Sequence, residues 1–200
     1  GELGIDISES PIIPGGRTST YLFINDADGD MALAVSDMDI YRHLTPQVLS
    51  QRLKLFNSSQ VLVMDTNLPA ESLEWLAENV TAPIFADPVS TAKAEKLRPI
   101  LGRLHTLKPN RLEAELLSGI PITDEDSLRR AANELLKTGL RRVFISLGGE
   151  GVYAAGQDGA CHLPVLPAEA VNTTGCGDAF MAAIAWAYLR GTDLEDTARA

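Results

Sequence analysis

The sequence has few cysteines and no long apolar run, and each shortage excludes a class of protein. Its 200 residues include only two cysteines, Cys161 and Cys176. Two cysteines at this spacing form neither a disulfide framework nor a metal-binding motif, which suits a reducing compartment. No stretch is apolar enough for long enough to span a bilayer, and no signal peptide opens the sequence. The sequence therefore predicts a cytoplasmic protein without a membrane-spanning segment.

The sequence also lacks an excess of positive charge. Its formal net charge is −10 at pH 7, and its 17 Lys and Arg residues are scattered, with no basic run or aromatic-basic stripe. Because nucleic-acid binding needs a basic surface, a nucleic-acid polymer is excluded as the expected partner. The length suffices for a buried core, and we expect one domain with an appendage.

From about residue 60 onward, apolar β-rich runs alternate with helical patterns. The predicted strands cover 61–65, 83–87, 105–108 and 142–147. The predicted helices cover 70–79, 92–101, 111–118 and 124–138. Continuous apolar strands joined by helices predict an α/β fold with a doubly wound, mostly parallel sheet. Ligands bind such sheets at the carboxyl ends of the strands.

The first forty residues have a different pattern. Two apolar runs, 18–24 and 31–35, flank the acidic segment 25–30, which predicts a β-hairpin. An EF-hand is not expected, because its glycine position would fall on Met31 and its bidentate glutamate on Asp37. We expect residues 1–40 to form the β appendage and the start of the return to the core. Residues 41–200 would form the α/β core.

The segment 171–180, VNTTGCGDAF, is the most informative part of the sequence. An apolar helix is predicted from Ala179, so Gly175 to Gly177 lie at a helix start, where unpaired N–H groups and the helix dipole favour phosphate. The glycines let a phosphate approach the backbone, and the Asp178 carboxylate can accept a proton from an attacking hydroxyl. The alternative is an ordinary glycine turn with an acidic helix cap.

A second candidate site is the segment 108–113, KPNRLE. Asn110 and Glu113 have the spacing of a capping box, and Gly119 would end the same helix. The same geometry points both side chains toward the end of the preceding strand, and one carboxylate suffices for Mg²⁺ when phosphates supply other ligands. Lys108 would add positive charge near phosphates; the alternative is a solvated lysine.

A third segment, 146–153, has the sequence SLGGEGVY. A strand that breaks into glycines can bring its backbone against a nucleotide. A plain hairpin turn is the alternative for this segment.

Together, these segments resemble the PfkB, or ribokinase-like, family of carbohydrate kinases. Residues 172–180 are similar to its signature DTTGAGDxF, 110–113 to its NxxE motif, and 146–151 to its TxGxxG turn. The resemblance implies ATP and Mg²⁺ as cofactors and Asp178 as the catalytic base. It implies an anion hole formed by Gly175, Cys176 and Gly177, and Glu113 as the carboxylate that orders the metal. It also implies a nucleotide site formed by Lys108, Asn110, Ser146, Gly148 and Gly151.

The sequence departs from the family pattern at three positions. Asn172 replaces the usual Asp, Cys176 replaces a small Ala, and Ala183 stands where Gly often occurs. In ribokinase-like enzymes that Asp helps to hold a monovalent cation, so dependence on potassium stays open here. A thiol at a helix start can be reactive, but filling an Ala-sized space is the favoured interpretation of Cys176.

Within the family, the sequence most resembles the pseudouridine kinase subgroup. The supporting segments are 35–40, 87–90 and 105–119; in many sugar kinases Asp-Pro is followed by Asn, whereas Val89 and Ser90 follow it here. The resemblance implies phosphorylation of the 5′-hydroxyl of pseudouridine. The alternatives are another sugar or nucleoside kinase, or a noncatalytic regulatory relative, against which the retained Asp178 and Glu113 count.

The resemblance also assigns the hairpin to a small β lid over the substrate. It implies that the lid can form a homodimer, and it makes Ser19 and Thr20 candidate neighbours of a nucleoside or sugar. The sequence begins without Met and ends within a predicted helix at 194–200. We therefore expect it to be part of a longer chain.

Overall fold

The N-terminal hairpin consists of β1 (Thr20–Asn25) and β2 (Met31–Asp37), which pair antiparallel as a separate sheet. The computed structural model describes residues 3–25, 31–166 and 173–200, so residues 26–30 of the predicted turn at 25–30 lie outside the described residues. Aromatic and β-branched residues favour these strands. One face of the hairpin carries four apolar side chains that are each more than half exposed: Leu22, Ile24, Leu33 and Val35.

The second sheet has six strands in the order β3-β4-β5-β6-β7-β8. They are β3 (Leu62–Asp65), β4 (Ile84–Asp87), β5 (Thr106–Leu107), β6 (Arg142–Ser146), β7 (Val152–Gly156) and β8 (Gly159–Leu163). The first four are parallel to one another, and β7 and β8 are antiparallel to their neighbours. The predicted mostly parallel sheet is therefore confirmed, with β5 shorter than expected.

Helices follow most of the strands. The α-helices are α1 (Pro46–Ser50), α2 (Leu53–Ser58), α3 (Ala70–Asn79), α4 (Thr91–Ala94), α5 (Arg111–Ser118), α6 (Glu125–Lys137), α7 (Cys176–Leu189) and α8 (Leu194–Arg199). None of the helices in the described ranges is both long enough and apolar enough to cross a bilayer.

The helix predicted over 92–101 forms as two segments of different helical type. An α-helix covers only Thr91–Ala94, and a 3-10 helix continues over Glu95–Arg103. Pro99 lies inside this second segment. Proline has no backbone N–H, and its ring collides with the carbonyl one α-helical turn earlier, so regular α-helical bonding stops.

Helices cover both faces of the six-stranded sheet, which confirms the doubly wound architecture. Along β4, Ile84 and Ala86 belong to the larger apolar cluster, which includes residues of α3, α5 and α6, whereas Phe85 belongs to a smaller one with α7 and α8. Successive side chains of a strand point to opposite faces, so one buried strand serves both clusters. The helix α7 thus packs on the face opposite α5.

Candidate active site

Three carboxylates share one cleft at the carboxyl edge of the sheet. Asp65 and Asp87 end the neighbouring strands β3 and β4, where they are register partners. The exposed Asp178 comes from the first turn of α7. The cleft measures about 320 Å³ and is lined by Val63, Met64, Asp65, Asp87, Asp178, Met181 and Ala182. The predicted base therefore has access to a space beside the strand ends.

The first turn of α7 lacks the usual side-chain cap. Its N-cap residue is Gly175, with φ 84°, a conformation that glycine adopts without a steric penalty. Among the described residues Gly175 supplies no side-chain cap bond, and the Cys176 amide donates to the Thr173 carbonyl at 3.2 Å. The helix backbone gives the amides of Gly177 and Asp178 no acceptor, because both lie in the first turn. This end of α7 is therefore suited to an anion.

Lys108 lies against the same turn of α7. Its residue exposure is only 5%, and its Nζ lies 2.9 Å from Oδ2 of Asp87. A Cβ placed on Gly177 would lie 3.3 Å from this Nζ, so the ammonium borders the helix backbone. A buried cation beside the positive end of a helix is unfavourable unless negative charge compensates it. Asp87 supplies part of that charge, and a bound anion would supply more.

Asn110 and Glu113 form the predicted capping box at the start of α5. The Asn110 amide donates to Oε2 of Glu113 at 2.8 Å, and the Glu113 amide donates to Oδ1 of Asn110 at 2.9 Å. Glu113 is only 2% exposed. Burial raises the pKa of Glu113, as does the Asp87 charge, whereas the Asn110 amide and Lys108 lower it.

The capping geometry limits how Glu113 can serve Mg²⁺. One carboxylate oxygen already accepts the cap hydrogen bond, and the side chain is buried. Mg²⁺ usually keeps several waters and takes one or two carboxylates in addition to phosphate oxygens. Glu113 therefore fits a role in ordering the waters of the ion better than bidentate ligation. Within the described residues, no three His, Cys, Asp or Glu side chains are placed so that they could hold one metal ion together.

Ser146 and the glycine turn after it lie beside the start of α5. The Ser146 amide donates to the Pro109 carbonyl at 2.9 Å, and Ser146 forms a parallel bridge with Asn110. Next to them, Nη2 of Arg111 lies 2.6 Å from Oε1 of Glu150. The second and third predicted segments are therefore neighbours in the fold, linked by backbone bonds and an ion pair.

The glycine turn also has a structural reason for its glycines. It joins the antiparallel strands β6 and β7, as the hairpin alternative expects. Gly148 and Gly151 have φ angles of 59° and 98°. A Cβ on Gly151 would lie 1.9 Å from the Leu163 carbonyl oxygen, which no side chain could accommodate. The fold itself therefore requires Gly151.

Several predicted residues lie away from the cleft or outside the described residues. Ser19 precedes β1 and Thr20 begins it, and neither lines the cleft. Asn172 lies outside the described residues. Cys176 is exposed at the first position of α7. The expected roles of Ser19, Thr20 and Asn172 stay predictions.

Sequence reasoning did not assign Asp65 and Asp87 to the site. The sequence does place both at the carboxyl ends of predicted parallel strands, where ligands bind, but it indicates no role for either side chain. The contact between Lys108 and Asp87 had no comparable signal, because it depends on the rotamer and burial of a long side chain.

Known sequences similar to this chain include a family profile and two curated relatives. A sequence profile of the pfkB family carbohydrate kinases matches residues 1–200. Pseudouridine kinase from Escherichia coli K12 is 37% identical over 198 residues, covering 98% of this chain and 63% of that protein. A protein named uncharacterized sugar kinase YeiI, from the same strain, is 38% identical over 200 residues, covering 98% of this chain and 55% of that protein.

Solved structures with a similar fold include one that covers nearly the whole chain. A putative sugar kinase from Clostridium perfringens superimposes with a TM-score of 0.85 at 33% identity. The match covers 98% of this chain and 63% of that one. The chain thus spans less than two thirds of the length of these relatives.

Proposed function

Because this chain belongs to the pfkB family of carbohydrate kinases, we propose that its protein transfers the γ-phosphoryl group of ATP to a hydroxyl group of a small nucleoside or sugar. The observation that carries the proposal is the buried Lys108 ammonium against the uncapped first turn of α7, which also carries Asp178. A cation, helix amides and a carboxylate in one place suit phosphoryl transfer, which depends on positioning and charge stabilisation.

Each group has a distinct role in the proposed reaction. The Asp178 carboxylate accepts the proton of the attacking hydroxyl. The backbone at Gly175, Cys176 and Gly177 binds the transferred phosphoryl group, with the Lys108 ammonium beside it. Asp178 suits the base role because it is exposed in the cleft where an acceptor could enter.

The nucleotide would lie between the start of α5 and the glycine turn. The proposed contacts come from Asn110 and Ser146, which a backbone bridge joins, and from Gly148 and Gly151 in the turn after Ser146. Bound Mg²⁺ would neutralise charge on the phosphates. Glu113 would hold water around that ion through its remaining oxygen.

We propose pseudouridine as the acceptor and its 5′-hydroxyl as the nucleophile. The support is the 37% identity to pseudouridine kinase over 98% of this chain. A second candidate is another sugar or nucleoside acceptor, because a sugar kinase of unassigned substrate is 38% identical.

The proposal also covers the location and assembly of the protein. We propose that it is cytoplasmic and that the N-terminal hairpin is a lid over the substrate. The exposed apolar face of the hairpin would form the contact between two copies in a dimer.

The test is a phosphorylation assay on the full-length gene product with ATP, Mg²⁺ and a panel of pseudouridine, uridine, ribose and fructose. We expect ADP release with pseudouridine and little with the others. Preference for ribose or fructose would replace the acceptor assignment, and no turnover with any sugar or nucleoside would overturn the proposed kinase activity.

Asp178→Asn tests the proposed base. We expect turnover to fall by roughly 10²-fold or more while a nonhydrolysable ATP analogue still binds in calorimetry, since the change removes a proton acceptor rather than a nucleotide contact. Asp126→Asn, on the exposed surface of α6, is the matched control and should keep normal turnover. Normal turnover in Asp178→Asn would contradict the assignment of the base.

A further inference from the structure

Val89 adopts a backbone conformation that a β-branched residue rarely takes. Its φ is 65°, and it is the one non-glycine residue with positive φ in the described part of the chain. The Ser90 amide donates to the Pro88 carbonyl at 2.7 Å, so Val89 is the central residue of a γ-turn of the rarer, strained hand. The Val89 residue is 45% exposed, so burial of its side chain does not explain the strain.

Two polar contacts hold this turn in place. The Val89 amide donates to Oδ1 of Asp87 at 3.0 Å. On the other side, the hydroxyl group of the fully buried Thr66 donates to the Pro88 carbonyl. A strained backbone conformation of this kind persists only where contacts with the surrounding structure hold it in place, and it occurs preferentially at functional sites.

The turn fixes the carboxylate of Asp87. Oδ1 accepts from the Val89 amide, and Oδ2 lies 2.9 Å from Nζ of Lys108. Within residues 3–25, 31–166 and 173–200, Asp87 is the one carboxylate within 4.0 Å of that ammonium. Lys108 therefore has further N–H donors available where it borders Gly177.

We propose that Val89 and Asp87 are positioning residues of the phosphoryl-transfer site. The γ-turn orients the Asp87 carboxylate, and this carboxylate holds the Lys108 ammonium at the first turn of α7, where it contacts the transferred phosphoryl group. The inference rests on the proposed function and adds a chain of contacts from Val89 through Asp87 to Lys108. Neither Val89 nor Asp87 touches the phosphoryl group.

The first experiment compares two substitutions of Val89 in the full-length gene product. Val89→Asn keeps the amide donor, and asparagine tolerates positive φ, so kcat should stay within about twofold of wild type. Val89→Pro removes the donor and imposes negative φ, so kcat should fall by roughly 10²-fold, with the KM of the acceptor little changed. Equal kcat in the two variants would overturn the proposal.

A double-mutant cycle tests whether Asp87 acts through Lys108. Asp87→Asn keeps an oxygen acceptor for Val89 but removes the charge, and Lys108→Met removes the ammonium. Each change should lower kcat by about 10²-fold, the effect of losing one donor that stabilises transition-state charge. The double variant should lose no more than Lys108→Met alone. If the loss of kcat in the double variant equals the product of the two single losses, or if Asp87→Asn has normal kcat, the proposal is overturned.

A readout independent of turnover separates this inference from the kinase proposal. In ¹⁵N-lysine NMR, the Lys108 ammonium should give a protected signal in wild type and Val89→Asn, assigned by its loss in Lys108→Met. The signal should disappear by fast exchange in Asp87→Asn and Val89→Pro. An unchanged signal in Asp87→Asn would overturn the inference even if the kinase were active. An inactive wild type with the expected NMR pattern would overturn only the kinase function and the phosphoryl contact.

Discussion

At the scale of single residues, the position of a side chain in the fold decided its chemistry. The alternative of a solvated lysine at position 108 is wrong, because the residue is 5% exposed and paired with Asp87. Gly151 is required by the backbone of Leu163, whatever it contributes to a nucleotide site. Asp178, by contrast, is exposed in the cleft, and its role as the base stays a prediction.

Replacement of Gly151 by Ala should destabilise the fold severely. The new Cβ would collide with the Leu163 carbonyl, and φ is 98°, so we expect a loss of about 3 kcal/mol or more in the free energy of unfolding. Gly119→Ala is the control, since Gly119 has φ 73° with open space around it and should lose only about 1 kcal/mol. Urea unfolding measures both losses, and similar values would contradict the predicted collision.

At the scale of elements, α5 and α6 begin with the same motif in different surroundings. Both have capping boxes, formed by Asn110 with Glu113 and by Asp124 with Ser127. The sequence predicted the capping box of α5, because such a box uses residues only three positions apart, and it placed the start of α6 within one residue. Only the box of α5 comes shortly after a strand end that is followed by a buried cation, Lys108.

This difference makes Asp124→Ala a matched control for Asn110→Ala. Each variant should lose about 1 kcal/mol of unfolding free energy, the usual cost of removing an N-cap. Only Asn110→Ala should also weaken ATP binding, since Asn110 borders Ser146 at the proposed nucleotide site. Urea unfolding and calorimetric titration with an ATP analogue check the two effects. Equal ATP affinity in the two variants would contradict the assigned nucleotide contact.

At the scale of the whole molecule, a partly buried histidine helps to join α7 to the sheet. The His105 ring stacks on Phe85 at 5.3 Å and meets the edge of Tyr188, on α7, at 4.7 Å. Its Nδ1 lies 2.9 Å from the Thr106 hydroxyl. Burial, with the charges of Arg142 and Arg141, lowers the pKa of His105 to about 4.

Because the pKa of His105 is lowered, the folded protein should begin to lose stability at a pH above the range where most carboxylates titrate. As the pH falls below 6.5, His105 is protonated in the unfolded chain, whereas in the folded chain it stays neutral until about pH 4. Protons therefore favour the unfolded state, and stability is lost across this interval. We expect a loss of roughly 2 kcal/mol, discounted because the ring is only partly buried.

Urea unfolding at pH 7 and pH 4.5 measures this loss, and His105→Gln should flatten the pH dependence. Glu113 contributes with the opposite sign, because its raised pKa favours the folded state as the pH falls. Glu113 is present in both the wild type and His105→Gln, so its contribution cancels when their pH dependences are compared. An identical pH dependence in wild type and His105→Gln would contradict the prediction.

The sequence alone determined the α/β fold, the order of its elements from β3 to β6 and the segments that carry the candidate site. Hydrophobic periodicity and capping residues are local, so helices at 70–79 and 111–118 agree with the structure to the residue. Pro99 also stands in the sequence, but the helix prediction for this segment did not include the 3-10 conformation that surrounds it. Local pattern predicts where an element forms better than which hydrogen bonds it makes.

Only the tertiary structure decided how the site is connected. It placed the Lys108 ammonium beside Gly177, 69 positions later in the sequence, and it gave that ammonium Asp87 as a partner. It also put Val89 in a strained turn that no local preference favours. Such contacts depend on strand order, burial and rotamers, which arise only when distant segments pack together, so no pattern within a short segment contains them.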